Sequence, residues 1–122
     1  MNLRTLSPCP SSPNCVSTQA PTSDERHAIA PYRYRTSRAD AKEVLKAAIA
    51  HLSRARLVRE DEAYLHYEFS SLLLRFVDDV EFLFVEETKT IHFRSASRTG
   101  YGDFGVNRRR MEEIRSLING KL

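Results

Sequence analysis

Four segments between residues 63 and 95 fit an apolar repeat with a period of two, and this pattern constrains the fold more than any other feature of the chain. Such a repeat is typical of strands that bury one face of a sheet. The segments are residues 63–69, 72–78, 80–86 and 89–95, and a shorter strand is predicted at 56–60. A parallel pair needs a crossover of roughly a dozen residues, so the short links predict an antiparallel sheet of four or five strands.

The link at Glu87-Thr88 predicts the register of the last two strands. A turn there sets three pairs of residues opposite each other: Phe84 with Ile91, Phe82 with Phe93, and Glu81 with Arg94. The aromatic and aliphatic pairs face the expected core. The charged pair lies on the other face, where such a contact contributes roughly a few tenths of a kcal/mol.

A helix is predicted on each side of the strands, which makes the fold α+β in the order α-β-β-β-β-α. Residues 38–53 carry an apolar stripe at helical spacing, with Ser37 as a suitable N-cap. Residues 107–119 carry a second stripe, with Asn107 as the expected N-cap and Gly120 just beyond the end. The expected core consists of Val44, Ile49, Phe69, Phe76, Phe82, Phe84, Phe93, Ile114 and Ile118.

All five prolines and both cysteines lie in the first 31 residues, which show no apolar periodicity. Because proline fixes φ and donates no backbone hydrogen bond, we expect a Pro-rich N-terminal arm over residues 1–36. The arm is expected to pack on a single domain of residues 37–122. The two cysteines, Cys9 and Cys15, are too few to complete a zinc site. Packed free thiols and a disulfide both fit their spacing, since the outcome depends on the compartment.

No apolar run approaches the roughly 20 residues needed to span a bilayer. The first residues carry an arginine but lack the apolar stretch of a signal peptide. The default expectation is therefore a cytoplasmic protein with no membrane span.

The surplus positive charge is concentrated in residues 94–115. This stretch holds six arginines and three acidic residues, a net +3 that equals the formal net charge of the whole chain. Three of the arginines, at 108–110, fall in the first turn of the last predicted helix, where cations oppose the helix dipole. A local preference broken in this way is expected where an anion binds, or where Asp78, Asp79 or Asp103 neutralises the cluster.

The glycines at positions 100, 102 and 105 have the G-x-G-x-x-G spacing of a dinucleotide-binding loop. A Rossmann unit needs a further parallel strand after the helix, and none is expected between the last helix and Leu122. We therefore expect these glycines to provide positive φ angles in a loop instead.

Several stretches resemble a known family: Arg75–Phe82, Ile91–Arg98 with Gly100, Asp103–Arg108, and the arm string Cys9–Ser17. They are similar, in order and over almost the whole chain, to the family catalogued as domain of unknown function 1499. The resemblance implies no particular activity, because that family has no established biochemistry. Its members are often bacterial.

These observations favour a non-catalytic binding or accessory protein with its site at the start of the last helix. The candidate ligand-binding residues are Arg94, Ser95, Ser97, Arg98, Gly100, Asp103, Asn107 and Arg108. Arginine forks and the backbone N–H groups of a helix start can hold an anion. The expected partner is therefore an anionic small molecule or an acidic protein segment, with no cofactor and no metal. Nucleic acid is disfavoured because the arginines lack a recognisable binding motif.

The alternative hypothesis is a small hydrolase or isomerase that uses Asp78, Asp79 and His92. Adjacent residues of a strand point to opposite faces, so the two aspartates can serve one site only if a turn or bulge intervenes. The serines near His92 show no spacing that sets up a nucleophile and a base. A catalytic triad is therefore not expected.

Overall fold

The structure, a computed structural model, describes residues 5–71, 76–100 and 105–122. Its strands are β1 (Cys15–Ser17), β2 (Tyr32–Arg33), β3 (Ala55–Asp61), β4 (Tyr64–Ser70), β5 (Val77–Val85) and β6 (Thr90–Ser97). Its helices are α1 (Arg38–Ile49), between β2 and β3, and α2 (Val106–Ile118), after β6. The α+β class is confirmed, and the described residues form a sheet of six strands rather than four or five. Neither helix is long and apolar enough to cross a membrane.

The sheet is antiparallel, with the strand order β1-β6-β5-β4-β3, and β2 pairs with the same edge of β6 as β1. The predicted register of β5 and β6 is confirmed in all three pairs. A 3₁₀ turn over Glu86–Thr88, followed by Lys89 at a φ of 53°, makes the connection. It is longer than the Glu87-Thr88 link by one residue on each side, so the register is unchanged.

One predicted strand is wrong. Instead of separate strands at 72–78 and 80–86, β5 runs without interruption from Val77, and residues 72–75 lie outside the described part of the chain. Phe76 is 49% exposed rather than buried in the core. It precedes Val77, the first β5 residue to pair with β4, and its backbone N–H donates instead to Ser71 Oγ at 2.9 Å. The chain reverses direction between β4 and β5, so the period-two pattern does not predict which side chains are buried at that point.

The arm supplies part of the sheet and of the core. The short strands β1 and β2 cover the edge of β6, and residues around them are buried in the main apolar cluster: Val16, Ile29, Tyr32 and Tyr34. Strands of three and two residues are too short to show a periodic pattern, which is why the sequence did not indicate them.

Helix α1 begins as predicted, because Ser37 Oγ accepts a hydrogen bond from the backbone N–H of Asp40 at 3.0 Å. Helix α2 begins differently. Its N-cap is Gly105, at a φ of 78°, and Asn107 lies inside the first turn with its side chain fully buried. The prediction of Asn107 as N-cap is therefore wrong. The side-chain amide of Asn107 bonds to side chains of the sheet instead. Gly105 serves as the N-cap because glycine tolerates a left-handed conformation.

The core lies between the sheet and the two helices. Of the predicted core residues, Val44 is partly buried and packs against this cluster, Phe76 is exposed, and the others are buried. Inward-facing pairs along β5 and β6 change in character from one end to the other: Phe84 with Ile91, Phe82 with Phe93, Val80 with Ser95, and Asp78 with Ser97. The inner face of the sheet thus becomes polar where α2 begins.

Candidate functional site

A buried polar cluster occupies that end of the inner face, with Asn107 at its centre. Asn107 Oδ1 accepts hydrogen bonds from Ser95 Oγ at 2.6 Å and from Arg110 Nη1 at 2.9 Å. Its Nδ2 donates to Ser97 Oγ at 3.0 Å and to the carbonyl oxygen of Asn14 at 3.2 Å. Both Asn107 and Ser95 are fully buried. The amide therefore fixes the first turn of α2 to the end of β6 and to the arm.

Arg110 completes the cluster. Its Nη2 lies 2.6 Å from Asp78 Oδ2, and both side chains are largely buried. Its guanidinium also stacks on the Phe69 ring, 4.7 Å from the centroid. Asp78 thus neutralises Arg110, which was one of the two outcomes expected for the arginines at 108–110.

Arg108 serves the arm. Its Nη2 lies within hydrogen-bond distance of the carbonyl oxygens of Ala28, Arg26 and Glu25, at 3.0, 3.2 and 3.5 Å. All three acceptors are backbone carbonyls around one nitrogen of the guanidinium, and none is an acidic side chain. This side chain therefore holds the loop before β2 against α2.

The outer face of the sheet carries a separate set of charged contacts. Arg98 binds Asp79 through two hydrogen bonds of 2.7 and 2.9 Å and also pairs with Glu68. The Arg98 hydrogen bonds, with a smaller contribution from His66, hold the pKa of Asp79 below its ordinary value. Arg94 points to the same outer face, where its Nη1 lies 4.0 Å from Glu81 Oε1.

The structure therefore divides the predicted site residues between two faces. It brings Ser95, Ser97 and Asn107 together, while Gly100 accepts a hydrogen bond from Asn14. The candidate residues do not all meet at one site, because Arg94 and Arg98 pair with acids of the outer face, whereas Asn107 and Arg108 belong to α2 on the inner face. Asp103 lies outside the described residues. A ligand-binding role for these residues stays a prediction.

The residues of the alternative hypothesis do not meet either. β5 pairs with β6 in an unbroken register, so Asp78 faces inward and Asp79 outward. His92 is four residues along β6 from the partner of Asp79, and its Nδ1 lies 2.9 Å from Thr18 Oγ1. Burial, with a smaller contribution from Arg33, lowers the pKa of His92. The three side chains therefore share no site.

An open groove, which the sequence did not indicate, lies beside the polar cluster. It runs between the segment after α1, the facing ends of β4 and β5, and the first turns of α2. Its lining includes three apolar residues (Phe69, Phe76 and Val106), four arginines (Arg54, Arg108, Arg109 and Arg110) and three acidic residues (Asp78, Glu112 and Glu113). Phe76 and Val106 are two of the four large apolar residues that are exposed in the described part of the chain. Half of the exposed large apolar residues therefore line one concave surface.

Arg54 holds an unusual backbone conformation at the rim of this groove. Its φ is 60°, in the left-handed region, which costs a non-glycine residue roughly 1–2 kcal/mol. Two hydrogen bonds with Ser70 maintain it: Ser70 N–H donates to the Arg54 carbonyl at 3.0 Å, and Arg54 Nε donates to the Ser70 carbonyl at 3.1 Å. These two hydrogen bonds hold the Arg54 cation in the lining of the groove.

Arg109 folds back over the start of α2. A Cβ atom added to Gly105 would lie 3.0 Å from Arg109 Nη1, which is tighter than ordinary van der Waals contact. The missing side chain at Gly105 thus allows the guanidinium to approach the helix start.

The arm reaches the same region through a covalent loop. Cys9 and Cys15 form a disulfide with an S–S distance of 2.05 Å. Between them, Asn14 is buried and donates from Nδ2 to the Gly100 carbonyl at 2.7 Å. The loop closed by the disulfide therefore touches the end of β6 and the segment that leads to α2.

The family model described as protein of unknown function (DUF1499) matches residues 5–118. The chain belongs to this family. Neither the curated proteins nor the solved structures contain a significant match.

In this DUF1499 chain, the four stretches that carry the family resemblance meet at the polar cluster. Each contributes a residue with a buried polar side chain: Asn14, Asp78, Ser95 and Asn107. These stretches of the family resemblance thus form the buried polar cluster that lies beside the groove.

The described residues contain no group of three His, Cys, Asp or Glu side chains placed to hold a metal ion.

Proposed function

We propose that this protein is a non-catalytic binding domain whose ligand is an anion attached to an apolar group. The ligand lies in the groove at the start of α2. One observation carries the proposal: half-exposed Phe76 and Val106 line the same concave surface as Arg54 and Arg109. Exposed apolar side chains gathered in a groove and flanked by a few polar groups are typical of a ligand site.

Four arginines and three acidic residues line the groove, a formal net charge of +1 that favours an anion. Guanidinium groups form planar, paired hydrogen bonds with carboxylate and phosphate. The positive end of the α2 dipole adds to this field, because the first turn contains no acidic residue. The anion is assigned to Arg109, whose guanidinium approaches the helix start at Gly105, and to Arg54 at the rim of the groove.

The apolar part of the ligand is assigned to Phe76 and Val106. Burying these exposed surfaces supplies roughly 25 cal/mol for each Å² of apolar area removed from water. Two sources present this chemistry: a small organic phosphate or carboxylate, and an acidic protein segment with an aromatic residue beside its acid.

Phenyl phosphate is a suitable probe, and inorganic phosphate and benzyl alcohol each supply half of its chemistry. A ligand that binds only the folded state raises the midpoint of thermal unfolding. We expect phenyl phosphate to raise it more than either half-ligand at equal concentration and to give a calorimetric binding isotherm. A capped Asp-Phe dipeptide, tested in the same way, represents the acidic protein segment.

Two pairs of variants locate the site. Arg109→Gln should weaken phenyl phosphate binding about tenfold, as expected for a lost hydrogen bond to a charged group. Arg98→Gln removes the same charge from the outer face and should leave binding unchanged. Phe76→Ala should weaken phenyl phosphate but not inorganic phosphate, whereas Leu57→Ala, which removes another exposed apolar side chain outside the groove, should affect neither. Equal effects within either pair, or no response to any probe, would overturn the proposal.

A further inference from the structure

Asn14 joins the arm to the groove through both its backbone and its side chain. Its carbonyl oxygen accepts hydrogen bonds from Ser97 N–H at 3.0 Å and from Asn107 Nδ2 at 3.2 Å. Its Nδ2 donates to the carbonyl of Gly100, and its Oδ1 accepts from Ser12 Oγ at 2.7 Å. Ser97 and Gly100 line the groove. One arm residue thus holds the end of β6 and the first turn of α2 together.

The disulfide confines Asn14 in this position. Cys15 is the next residue, is fully buried, and begins β1, whose ladder with β6 has only three residue pairs. Cys9 lies at the other end of the loop and is partly exposed. Besides this short ladder, hydrogen bonds of His27 with the Ser12 carbonyl and of Arg26 with the Ser11 carbonyl hold the loop, and the covalent link restricts the freedom of residues 9–15 further.

We infer that the Cys9–Cys15 disulfide is a redox-sensitive clamp on the groove. In the oxidised protein, Asn14 fixes the ends of β6 and α2 that form the groove wall. In the reduced protein the loop opens, Asn14 leaves its partners, and the groove loses both its order and its affinity for the anionic ligand. The effect on affinity rests on the proposed function, whereas the effect on local order does not.

The reductant is a dithiol, and its thiolate attacks Cys9 Sγ because the other sulfur is buried. The S–S bond breaks, a mixed disulfide forms at Cys9, and Cys15 leaves as a thiolate that takes up a proton. The second thiol of the reductant then displaces Cys9, which also takes up a proton. Two electrons pass to the protein and the dithiol becomes a disulfide.

Amide hydrogen exchange tests the clamp without any ligand. We compare oxidised protein with protein reduced by dithiothreitol, at a thiol count that confirms full reduction. Protection of the amides of Ser97 and Arg98, and of residues 109–111 in α2, should fall about tenfold more than protection of β4 and β5, as for the local loss of one or two hydrogen bonds. An equal loss in all these segments would make the disulfide a general stabiliser, and no loss would make it irrelevant. Either result overturns the clamp.

Asn14→Ala keeps the disulfide but removes the side-chain link to Gly100. If the clamp acts through Asn14, this variant should show the local loss of protection while oxidised, and reduction should add less to it than to the wild type. Full additivity of the two changes would contradict the coupling. The variant Cys9→Ser/Cys15→Ser controls for the reagent, since dithiothreitol should not change its exchange.

Phenyl phosphate affinity gives the second readout. Oxidised protein should bind about tenfold more tightly than reduced protein, as expected for the loss of hydrogen bonds that order the groove wall. If oxidised protein does not bind phenyl phosphate while exchange shows the local loss, the proposed ligand is wrong and the clamp stands. If binding is present and identical in both redox states, the clamp on the groove is wrong and the ligand stands.

Discussion

The two ends of the inner sheet face are equally buried but are held together by different forces. At one end Phe82 and Phe93 sit opposite each other and are fully buried under the helices. At the other end Ser95 and Asn107 are just as buried, but hydrogen bonds link them to each other and to Arg110. Strands β5 and β6 form both ends, and inward-facing and outward-facing residues alternate in the same way at each.

The difference shows what binary patterning does and does not specify. Apolar packing tolerates changes that preserve volume, because contact has no preferred direction. A buried hydrogen-bond network fixes distances and angles, and each member left without a partner is costly. The apolar end therefore supplies most of the stability, and the polar end positions the start of α2, where the groove forms.

The largest expected effect is at the apolar end. Phe82→Ala should lower the free energy of unfolding by about 3–5 kcal/mol, because it removes a fully buried aromatic ring and leaves a cavity. Phe76→Ala removes the same side chain from a half-exposed site and should cost less than about 1 kcal/mol. Urea denaturation measures both. Similar losses would mean that the groove end is packed like the core.

Breaking the polar end should cost somewhat less. Asp78→Ala should lower the free energy of unfolding by about 3 kcal/mol, because it leaves Arg110 without its acid in a largely buried site. Asp79→Ala, the adjacent residue on the outer face, should cost about 1 kcal/mol or less, because its partners are more exposed. Chemical denaturation of both variants checks the contrast. Equal losses would show that the two faces of β5 do not differ in this way.

Most of the apolar end could be predicted from the sequence. The pairs of β5 and β6 followed from a local repeat and one turn, and Ser37 was recognisable as a cap because its role depends on a residue three positions away. The prediction that Phe76 is buried was wrong because an apolar repeat shows alternation but does not show whether a partner strand is present. The two strands of the arm were not predicted because they are too short to show any repeat.

The polar end depends on contacts between distant parts of the chain. Asn107 had the residue type and position of an N-cap, but Ser95 and Asn14, 12 and 93 residues away, engage its amide instead. No local pattern encodes that choice. Arg108 likewise looked like an anion ligand and holds arm carbonyls. The concentration of arginine around 94–115 did point to the correct region, although its members divide between two faces.

A smaller effect on stability, with a clear effect on binding, is expected at Arg54. Arg54→Gly should relieve the left-handed conformation but lose the hydrogen bond from Arg54 Nε to the Ser70 carbonyl, so the free energy of unfolding should change by less than about 1 kcal/mol. It should also weaken phenyl phosphate binding, because a cation leaves the rim of the groove. Lys89→Gly is the matched control, since Lys89 has the other positive φ among described non-glycine residues and does not line the groove. Loss of phenyl phosphate affinity in Lys89→Gly, or its retention in Arg54→Gly, would contradict the assignment of Arg54.

The smallest effect concerns the outer face and appears only in acid. Arg98, and to a lesser degree His66, hold the pKa of Asp79 below its ordinary value of 3.8, so the folded state binds this proton less readily than the unfolded state. The resulting stabilisation is present above the ordinary pKa and is lost as the pH falls through the lowered one. Thermal unfolding followed from pH 6 to about pH 2 should therefore show a steeper acid loss in wild type than in Arg98→Gln. Arg35→Gln removes the same charge from an exposed residue outside this cluster, and it should keep the wild-type slope. If all three proteins lose stability in parallel, the contact between Arg98 and Asp79 does not set the acid response. The outer face would then contribute neither to binding nor to pH dependence, and the contrast between the two faces of β5 would be one of packing alone.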